Sequence, residues 1–236
     1  MQYIYTECTL PSNGLIYKTK TVHLRPKTIF DIKTLLNNPV FMLKSEIDAL
    51  NNCISPEDNI NVYDLVNADV VYLLYKLRSM SDDCLNLEIK GKQYTVKISD
   101  LEVKYLDEYN TEITLPESKI PVRLKLQTIG DIFGLSNARD EFMRKYPEYR
   151  GDALNTISIL NSIDTFGTSV NSEHIRNGLE QLSWKDSLYL IQAIEDLNKL
   201  DFGIKEQVEL DVEGEKVTIP LQITEQFFRP TIWYRG

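Results

Sequence analysis

The sequence predicts an α+β protein made of two tandem, divergent copies of one strand–helices–β-hairpin unit. Three observations predict this class: short stretches recur in the same order in both halves, each half contains an amphipathic helix, and each half has an alternating pattern around a glycine turn. The chain has 236 residues, of which 42% are apolar. Because that share is enough to bury a core, we expect a globular and soluble protein rather than a disordered one.

The repeat rests on four pairs of similar segments. Residues 22–32 (VHLRPKTIFDI) and 122–132 (VRLKLQTIGDI) are identical at six of eleven positions, with an offset of 100 (122 − 22). The other pairs are 9–11 with 114–116, 69–74 with 186–191, and 88–96 with 211–219, at offsets of 105, 117 and 123 (114 − 9, 186 − 69, 211 − 88). Their shared order favours a duplication into units 1–107 and 108–236, with a 17-residue insertion (117 − 100) in the second unit.

The first unit is expected to begin with a strand, continue with helices and close with a hairpin. Residues 21–24 alternate in polarity and predict a strand, which Pro26 ends. A helix is predicted over 45–50, and a stronger one follows along the apolar series Val66, Val70, Leu73, Leu74 and Leu77. Alternating residues around the glycine-containing connection 90–93 predict the hairpin, and 213–216 is its counterpart in the second unit.

The second unit has its own helix signals. Ser136 is predicted to cap a helix that runs to Tyr146 and ends near Pro147. Ser183 is predicted to cap another, with Asp186 in its first turn. That helix is indicated by apolar residues at helical spacing, which are Leu188, Ile191, Ile194 and Leu197.

The insertion in the second unit predicts an extra helix over 173–182, capped by Asn171 or Ser172. The loop before it, 165–169, is the predicted mobile segment. The boundary between the units is placed in the polar stretch 107–111, which has no periodicity.

The charge of the chain limits its partners. The net charge is −9, and no run of Lys or Arg exceeds two residues, so direct nucleic-acid binding and binding to an anionic membrane surface are not expected. The longest apolar stretch, 70–75, is far shorter than the ~20 residues of a membrane span. The first residues do not resemble a signal peptide, and three cysteines in no close pair suit a reducing compartment. We expect a cytoplasmic protein.

Residues that usually carry catalysis are few and scattered. His23 lies in a predicted strand with no acid or nucleophile near it in sequence, and His174 lies in a charged helix; each is interpreted as a surface histidine. HExxH, CxxC and P-loop motifs are absent from the sequence. We therefore predict a protein that is not an enzyme, with no catalytic, cofactor-binding or metal-binding residues and no cofactor.

The carboxylates have simpler explanations than catalysis. Asp82-Asp83 and Asp140-Glu141 are typical of solvated faces or caps in an acidic protein, and Asp69 and Asp186 suit helix starts. An enzymatic alternative is a hydrolase using dispersed carboxylates, which requires one acid of raised pKa facing a second carboxylate.

Aromatic residues favour protein–protein contact instead, because they are enriched at interfaces. Their densest patch lies at the end of the sequence. The candidate partner-binding residues there are Phe227, Phe228, Arg229, Pro230, Ile232, Trp233 and Tyr234. The alternative is that this tail folds back onto its own hairpin.

Several of these motifs together resemble a baseplate protein family of contractile-tailed bacteriophages of the T-even type. In the first half they are LPSNGLIY (10–17), VHLRPKT (22–28), NADVVYLLYKLR (67–78) and ISDLEVKYL (98–106). In the second half they are ITLPESKIPVRLKLQT (113–128), SWKDSLYLIQAIEDLNKLDFGI (183–204) and FFRP (227–230). The resemblance spans nearly the whole chain and implies a hub component or hub-assembly factor, with hub, wedge or tape-measure proteins as partners.

The resemblance carries no catalytic residues. It implies a place in the host cytoplasm during assembly and in the virion tail baseplate if the chain is retained; the alternative is a transient tail-assembly chaperone absent from the virion. Relatives often carry a Cys-Pro-x-Cys-Gly turn of the zinc-ribbon kind, whereas residues 88–92 and 211–215 here have no cysteine. We therefore expect zinc-ribbon-like hairpins that need no metal.

Overall fold

A computed structural model describes residues 3–36 and 42–221. Helices alternate there with small antiparallel sheets, which confirms the α+β class. The first half contains β1 (Thr6–Thr9), β2 (Thr21–Leu24), α1 (Ile29–Leu36), α2 (Met42–Cys53), α3 (Asn67–Ser79), β3 (Cys84–Ile89), β4 (Lys92–Lys97) and β5 (Val103–Lys104). The second half contains β6 (Glu112–Thr114), β7 (Pro121–Leu124), α4 (Ile129–Lys145), α5 (Ala153–Asn161), β8 (Ile163–Phe166), α6 (Ser172–Leu179), α7 (Trp184–Asn198), β9 (Gly203–Ile204), β10 (Gln207–Val212) and β11 (Glu215–Pro220).

The described residues divide into two compact bodies. The first body comprises those within 1–62, 68–107 and 202–236, and the second comprises those within 63–67 and 108–201. The hairpin β10–β11 therefore belongs to the first body. A division into compact bodies does not test whether the sequence is repeated, so the repeat units 1–107 and 108–236 stay a prediction.

A buried ionic network in the first body ties the end of β2 to α1 and α2. The Arg25 guanidinium donates to Asp31 Oδ2 at 2.8 Å and to the Asn52 carbonyl at 2.8 Å. The Thr28 N–H also donates to the Asp31 carboxylate, at 2.7 Å. Lys27 pairs with the buried Glu46 on α2. Because these charges are largely removed from water, loss of one partner would leave an uncompensated charge.

Both long hairpins close through two-residue turns. Lys90 and Gly91 have φ of 51° and 75°, and Glu213 and Gly214 have φ of 60° and 87°. Two consecutive positive φ values are typical of a type I′ turn, whose twist matches that of the flanking strands. The two hairpins are confirmed, but each connection is two residues rather than the four predicted.

The two hairpins share one apolar cluster in the first body. Its buried members are Tyr75, Leu85, Val96, Ile98 and Leu221, and Val208 and Leu210 pack against them. Each hairpin is closed at its open end by one backbone hydrogen bond of 2.8 Å, from Ile98 N–H to the Asp83 carbonyl and from Leu221 N–H to the Glu206 carbonyl. The tips are joined by the ion pair Lys92–Glu213 at 2.9 Å.

The second body is built on the three-stranded sheet β6-β7-β8. In β6 and β7, Ile113 lies opposite Val122. One face of the sheet packs against helices, including α7, because strands and helix each have an apolar side to bury. The buried core residues are Leu115, Val122, Leu124, Ile163, Phe166, Ile175, Leu190, Ile194 and Leu197.

The segment 63–67 packs on the start of α4 within the second body. Ile129 N–H donates to the Leu65 carbonyl at 2.8 Å, and the Tyr63 and Phe133 rings lie 6.4 Å apart. A Cβ on Gly130 would lie 2.9 Å from the Tyr63 carbonyl oxygen. This close approach of two backbones therefore requires glycine at position 130.

Some helix boundaries differ from the prediction. The helix predicted to start at Ser136 begins at Ile129, because Thr128 and Asp131 form a reciprocal capping box; Ser136 is an exposed residue inside α4. Its predicted end is confirmed, since Tyr146 is the C-cap. The extra helix α6 is confirmed and is capped by Asn171 rather than Ser172, but it ends at Leu179 rather than at 182. Residues 165 and 166 of the predicted mobile loop belong to β8.

We expect Lys90→Asn to raise the free energy of unfolding by about 0.5–1 kcal/mol, because asparagine tolerates positive φ better than lysine. The matched variant Gly91→Ala should lower that free energy by about 1 kcal/mol. Urea unfolding followed by circular dichroism measures both. Equal stability of the three proteins would contradict the turn assignment.

Candidate interaction surface

The helix α7 is held at its start by two local interactions. The Ser183 hydroxyl accepts a hydrogen bond from Asp186 N–H at 3.2 Å, as the sequence predicted. The Asp186 carboxylate does not return this bond to the cap but accepts from Glu117 N–H at 2.8 Å and Ser118 N–H at 2.9 Å. Desolvation raises the pKa of Asp186, but these hydrogen bonds outweigh it and lower the pKa below its usual range. The bonds fix the rotation of α7 relative to the strand turn that follows β6.

This rotation gives α7 two different faces. The inner face buries Leu190, Ile194 and Leu197 in the core of the second body. Leu188 and Ile191, which share their helical spacing in the sequence, are 47% and 39% exposed. The apolar series found in the sequence is thus divided between two faces of the helix, and Leu190 supplies the missing core position.

The outer face of α7 is an apolar surface defined by Trp184, Leu188 and Ile191. Trp184 is 78% exposed, and the spacing i, i+4, i+7 places the three side chains on one side of the helix. Tyr189 is also 45% exposed but lies about 100° around the helix from Leu188, outside this row. A contiguous row of large apolar side chains with an aromatic residue at one end is typical of a protein-binding helix face.

The sequence-predicted partner-binding residues, Phe227, Phe228, Arg229, Pro230, Ile232, Trp233 and Tyr234, lie outside the described residues. The outer face of α7 was not singled out from the sequence. One signal for it exists: Trp184 is an aromatic residue in a first helical turn that precedes the first core position.

A second buried aspartate lies in the first turn of a helix of the first body. Asp69, in the first turn of α3, accepts a hydrogen bond from Ser12 N–H at 2.9 Å. Desolvation is the largest influence on it and raises its pKa, although hydrogen bonds with Ser12 and Tyr17 oppose the rise. Asp69 and Asp186 were interpreted as helix-start charges; each also fastens its helix to a strand turn.

His23 has an acidic neighbour that the sequence did not reveal. Its Nδ1 lies 2.8 Å from Asp58 Oδ1, and its backbone N–H donates to Asp58 Oδ2 at 2.7 Å. Glu7 lies 3.8 Å from Nε2. The hydrogen bond with Asp58 is the main cause of a raised His23 pKa. Because Asp58 holds both the ring and the backbone, this pair fastens residues 55–58 to β2.

The predicted carboxylate pairs are structural where the contacts are described. Asp82 Oδ1 accepts from Cys84 N–H at 3.1 Å, and Asp83 accepts from Ser99 N–H at 2.9 Å. Asp140 and Glu141 are exposed on α4.

The cysteines do not form a metal site with other residues of the described ranges. Cys8, Cys53 and Cys84 are free, and burial raises the pKa of Cys53 to about 11. Within 3–36 and 42–221, no group of three or more His, Cys, Asp or Glu residues is placed to hold a metal ion. A thiol of raised pKa is a poor nucleophile at neutral pH.

Comparison with known proteins finds no matching family model, no similar curated protein and no similar solved structure. Among the described helices, none has both the length and the apolar composition needed to cross a membrane.

We expect Leu188→Ala to change the free energy of unfolding by less than about 0.5 kcal/mol, because the side chain is on the outer face of α7. Ile194→Ala on the inner face should lower it by about 2–5 kcal/mol. Chemical denaturation of the two variants measures both changes. A larger loss for Leu188→Ala than for Ile194→Ala would reverse the assignment of the two faces.

We expect His23 to contribute to thermal stability below about pH 6.5 and this contribution to be lost as the pH rises. Because its pKa is raised in the fold, its contribution is fully present below the unfolded pKa of about 6.5 and is lost as pH rises through the folded pKa. His23→Gln should flatten this part of the curve of melting temperature against pH. Glu7→Gln is the milder control, since Glu7 is the more distant acid. Identical curves for wild type and His23→Gln would refute the role of the pair.

Proposed function

We propose that this chain is a structural or assembly protein of a phage contractile-tail baseplate hub and acts by protein–protein contacts. The observation that carries the proposal is the outer face of α7, where Trp184, Leu188 and Ile191 are exposed together. Burying such a row against another protein is favourable by roughly 25 cal/mol for each Å² of apolar surface. The resemblance of the sequence motifs to baseplate proteins supports the phage setting.

We also propose that the chain arose by duplication of a strand–helices–hairpin unit. Paired contacts support this: Leu24 bridges to Ile54 as Leu124 pairs with Ile163, and Asp69 matches Asp186. The offset is 109 (163 − 54) at the first match and 117 (186 − 69) at the second. The predicted insertion is then divided between a longer α4 and the extra helix α6.

The zinc-ribbon-like character of the hairpins belongs to the same proposal. Each hairpin has a two-residue turn, at 90–91 and 213–214, where the resembling family often has cysteines. Strand pairing and the shared apolar cluster stabilise these hairpins, as a bound metal stabilises a zinc ribbon.

Two related but unequal units suit a bridging role. One chain then offers different surfaces to neighbours that strict symmetry does not relate. In this proposal the segment Phe227–Tyr234 contacts a hub, wedge or tape-measure protein. The protein is in the host cytoplasm during assembly and in the tail baseplate when retained.

The direct test is quantitative mass spectrometry of purified virions or tails. A fixed copy number is the expected result and makes the chain a baseplate component. Absence from the particle, together with binding to hub or tape-measure protein in lysate, would make it a transient chaperone instead. Absence from the particle without such binding would refute both roles.

We expect deletion of residues 227–236 to weaken incorporation into tails while leaving the thermal unfolding of the chain unchanged. The control replaces Phe227, Phe228, Trp233 and Tyr234 with serine and keeps the length; it should weaken incorporation as the deletion does, because aromatic anchors carry most of the binding energy of an interface. Incorporation is measured from the amount of each variant in tails. Normal incorporation of both would show that this segment is not the docking element.

A further inference from the structure

Two exposed surfaces of the chain are counterparts of a contact already made inside the second body. That contact joins the segment 63–67 to the start of α4, where Ile129 is only 4% exposed. The offset of 100 relates the start of α4 to the start of α1, where Ile29 is 72% exposed. The offset of 117 relates 63–67 to 180–184, so Leu65 matches Leu182 and Asn67 matches Trp184, which is 78% exposed. The surfaces in the second body are therefore joined, and Ile29 and Trp184 at the corresponding positions are each exposed.

Charge complementarity distinguishes the exposed pair from the joined pair. In the joined pair, Tyr63 and Phe133 contact each other through their rings. Tyr63 matches Glu180 (63 + 117), and Phe133 matches Lys33 (133 − 100). Lys33 is exposed, and the Glu180 side chain is 49% exposed although it also pairs with Arg176 at 3.0 Å. An aromatic pair in one contact is thus matched by a pair of opposite charges in the other.

The two contacts cannot be identical in detail. Phe30 stands at the position of Gly130, where the structure leaves no room for a Cβ against the Tyr63 carbonyl. A partner on α1 is therefore held by side chains rather than by the close backbone approach seen at α4. The large side chains Ile29 and Trp184 and the charges of Lys33 and Glu180 are suited to such a contact.

We propose that the chain self-associates head to tail, with the start of α1 in one copy bound to residues 180–184 of the next. Ile29 packs against Trp184, and Lys33 pairs with Glu180. The contact is heterologous, since it joins different surfaces of two copies, and it produces rings where the rotation closes and open chains where it does not. This inference rests on the repeat correspondences and goes beyond the phage role, because it concerns the purified protein alone.

Charge reversal tests the proposal in the purified full-length chain by sedimentation velocity over a range of concentrations. Wild type should associate reversibly. Lys33→Glu and Glu180→Lys should each weaken association about threefold to tenfold, because attraction at the junction becomes repulsion. Lys97→Glu, an exposed reversal on β4, is the control and should associate as wild type does. Circular dichroism confirms that each variant is folded.

Mixing decides whether the contact is between copies. In an equimolar mixture of Lys33→Glu and Glu180→Lys, every junction between unlike copies pairs a lysine with a glutamate, so association should return to the wild-type strength. The double variant should also recover, because its junctions pair Glu with Lys in the reversed sense. Recovery in the double variant without recovery in the mixture would place the contact within one chain and overturn the proposal. A wild-type protein that stays monomeric at its highest soluble concentration would overturn it as well.

Discussion

A buried aspartate at the start of a helix, hydrogen-bonded to a distant backbone turn, recurs in both bodies of this protein. Asp69 reaches Ser12, which is 57 residues earlier, and Asp186 reaches Glu117 and Ser118, which are 69 and 68 residues earlier. A carboxylate with less than a few per cent of its surface exposed needs such donors, because an unpaired buried charge costs several kcal/mol. The requirement fixes both the position of each helix along the strand pair and its rotation. The faces that α3 and α7 present follow from this constraint.

The two helices differ in how much of their surface is buried. Along α3 the apolar residues are buried nearly all round, as Val70, Tyr72, Leu73, Leu74, Tyr75 and Leu77 show. Along α7 one face is buried and the other, from Trp184 to Ile191, remains exposed. The aspartates also differ: the pKa of Asp69 is raised chiefly by desolvation, whereas hydrogen bonds lower that of Asp186. Asp186 therefore stabilises the fold above the unfolded aspartate pKa of about 3.8, and this stabilisation is lost as pH falls through its lower folded pKa. Asp69 has the opposite effect: its ionisation weakens the fold as pH rises through its raised folded pKa.

Local patterns predicted the local structure well. The alternation around Gly91 and Gly214 predicted both hairpins, and Ser183 and Asn171 predicted two helix starts. The predicted start of α4 at Ser136 was wrong because Thr128 and Asp131 form a capping box whose cap, Thr128, lies eight residues before Ser136 (136 − 128). Periodicity likewise found α7, yet could not tell its core face from its outer face, since both carry apolar residues.

Contacts between residues far apart in the chain could not be predicted from the sequence. His23 and Asp58 are 35 residues apart, and only the fold brings them together. The hairpin β10–β11 belongs to the first body through apolar contacts with residues such as Tyr75 and Leu85, which no local pattern encodes. The candidate residues from Phe227 to Tyr234 remain a sequence prediction, and the surface on α7 is one that only its exposure identifies.

The two aspartate contacts position α3 and α7, and amide hydrogen exchange of the full chain measures these contacts. We expect the amides of Ser12, Glu117 and Ser118 to exchange slowly in the wild type. Asp69→Ala should release Ser12 alone, with a loss of about 1–3 kcal/mol of protection, because Ser12 is buried and its amide becomes an unpaired donor. Asp186→Ala should release Glu117 and Ser118 alone. Rapid exchange of these amides in the wild type, or release of all three by either substitution, would contradict the positioning of α3 and α7 by separate aspartate contacts.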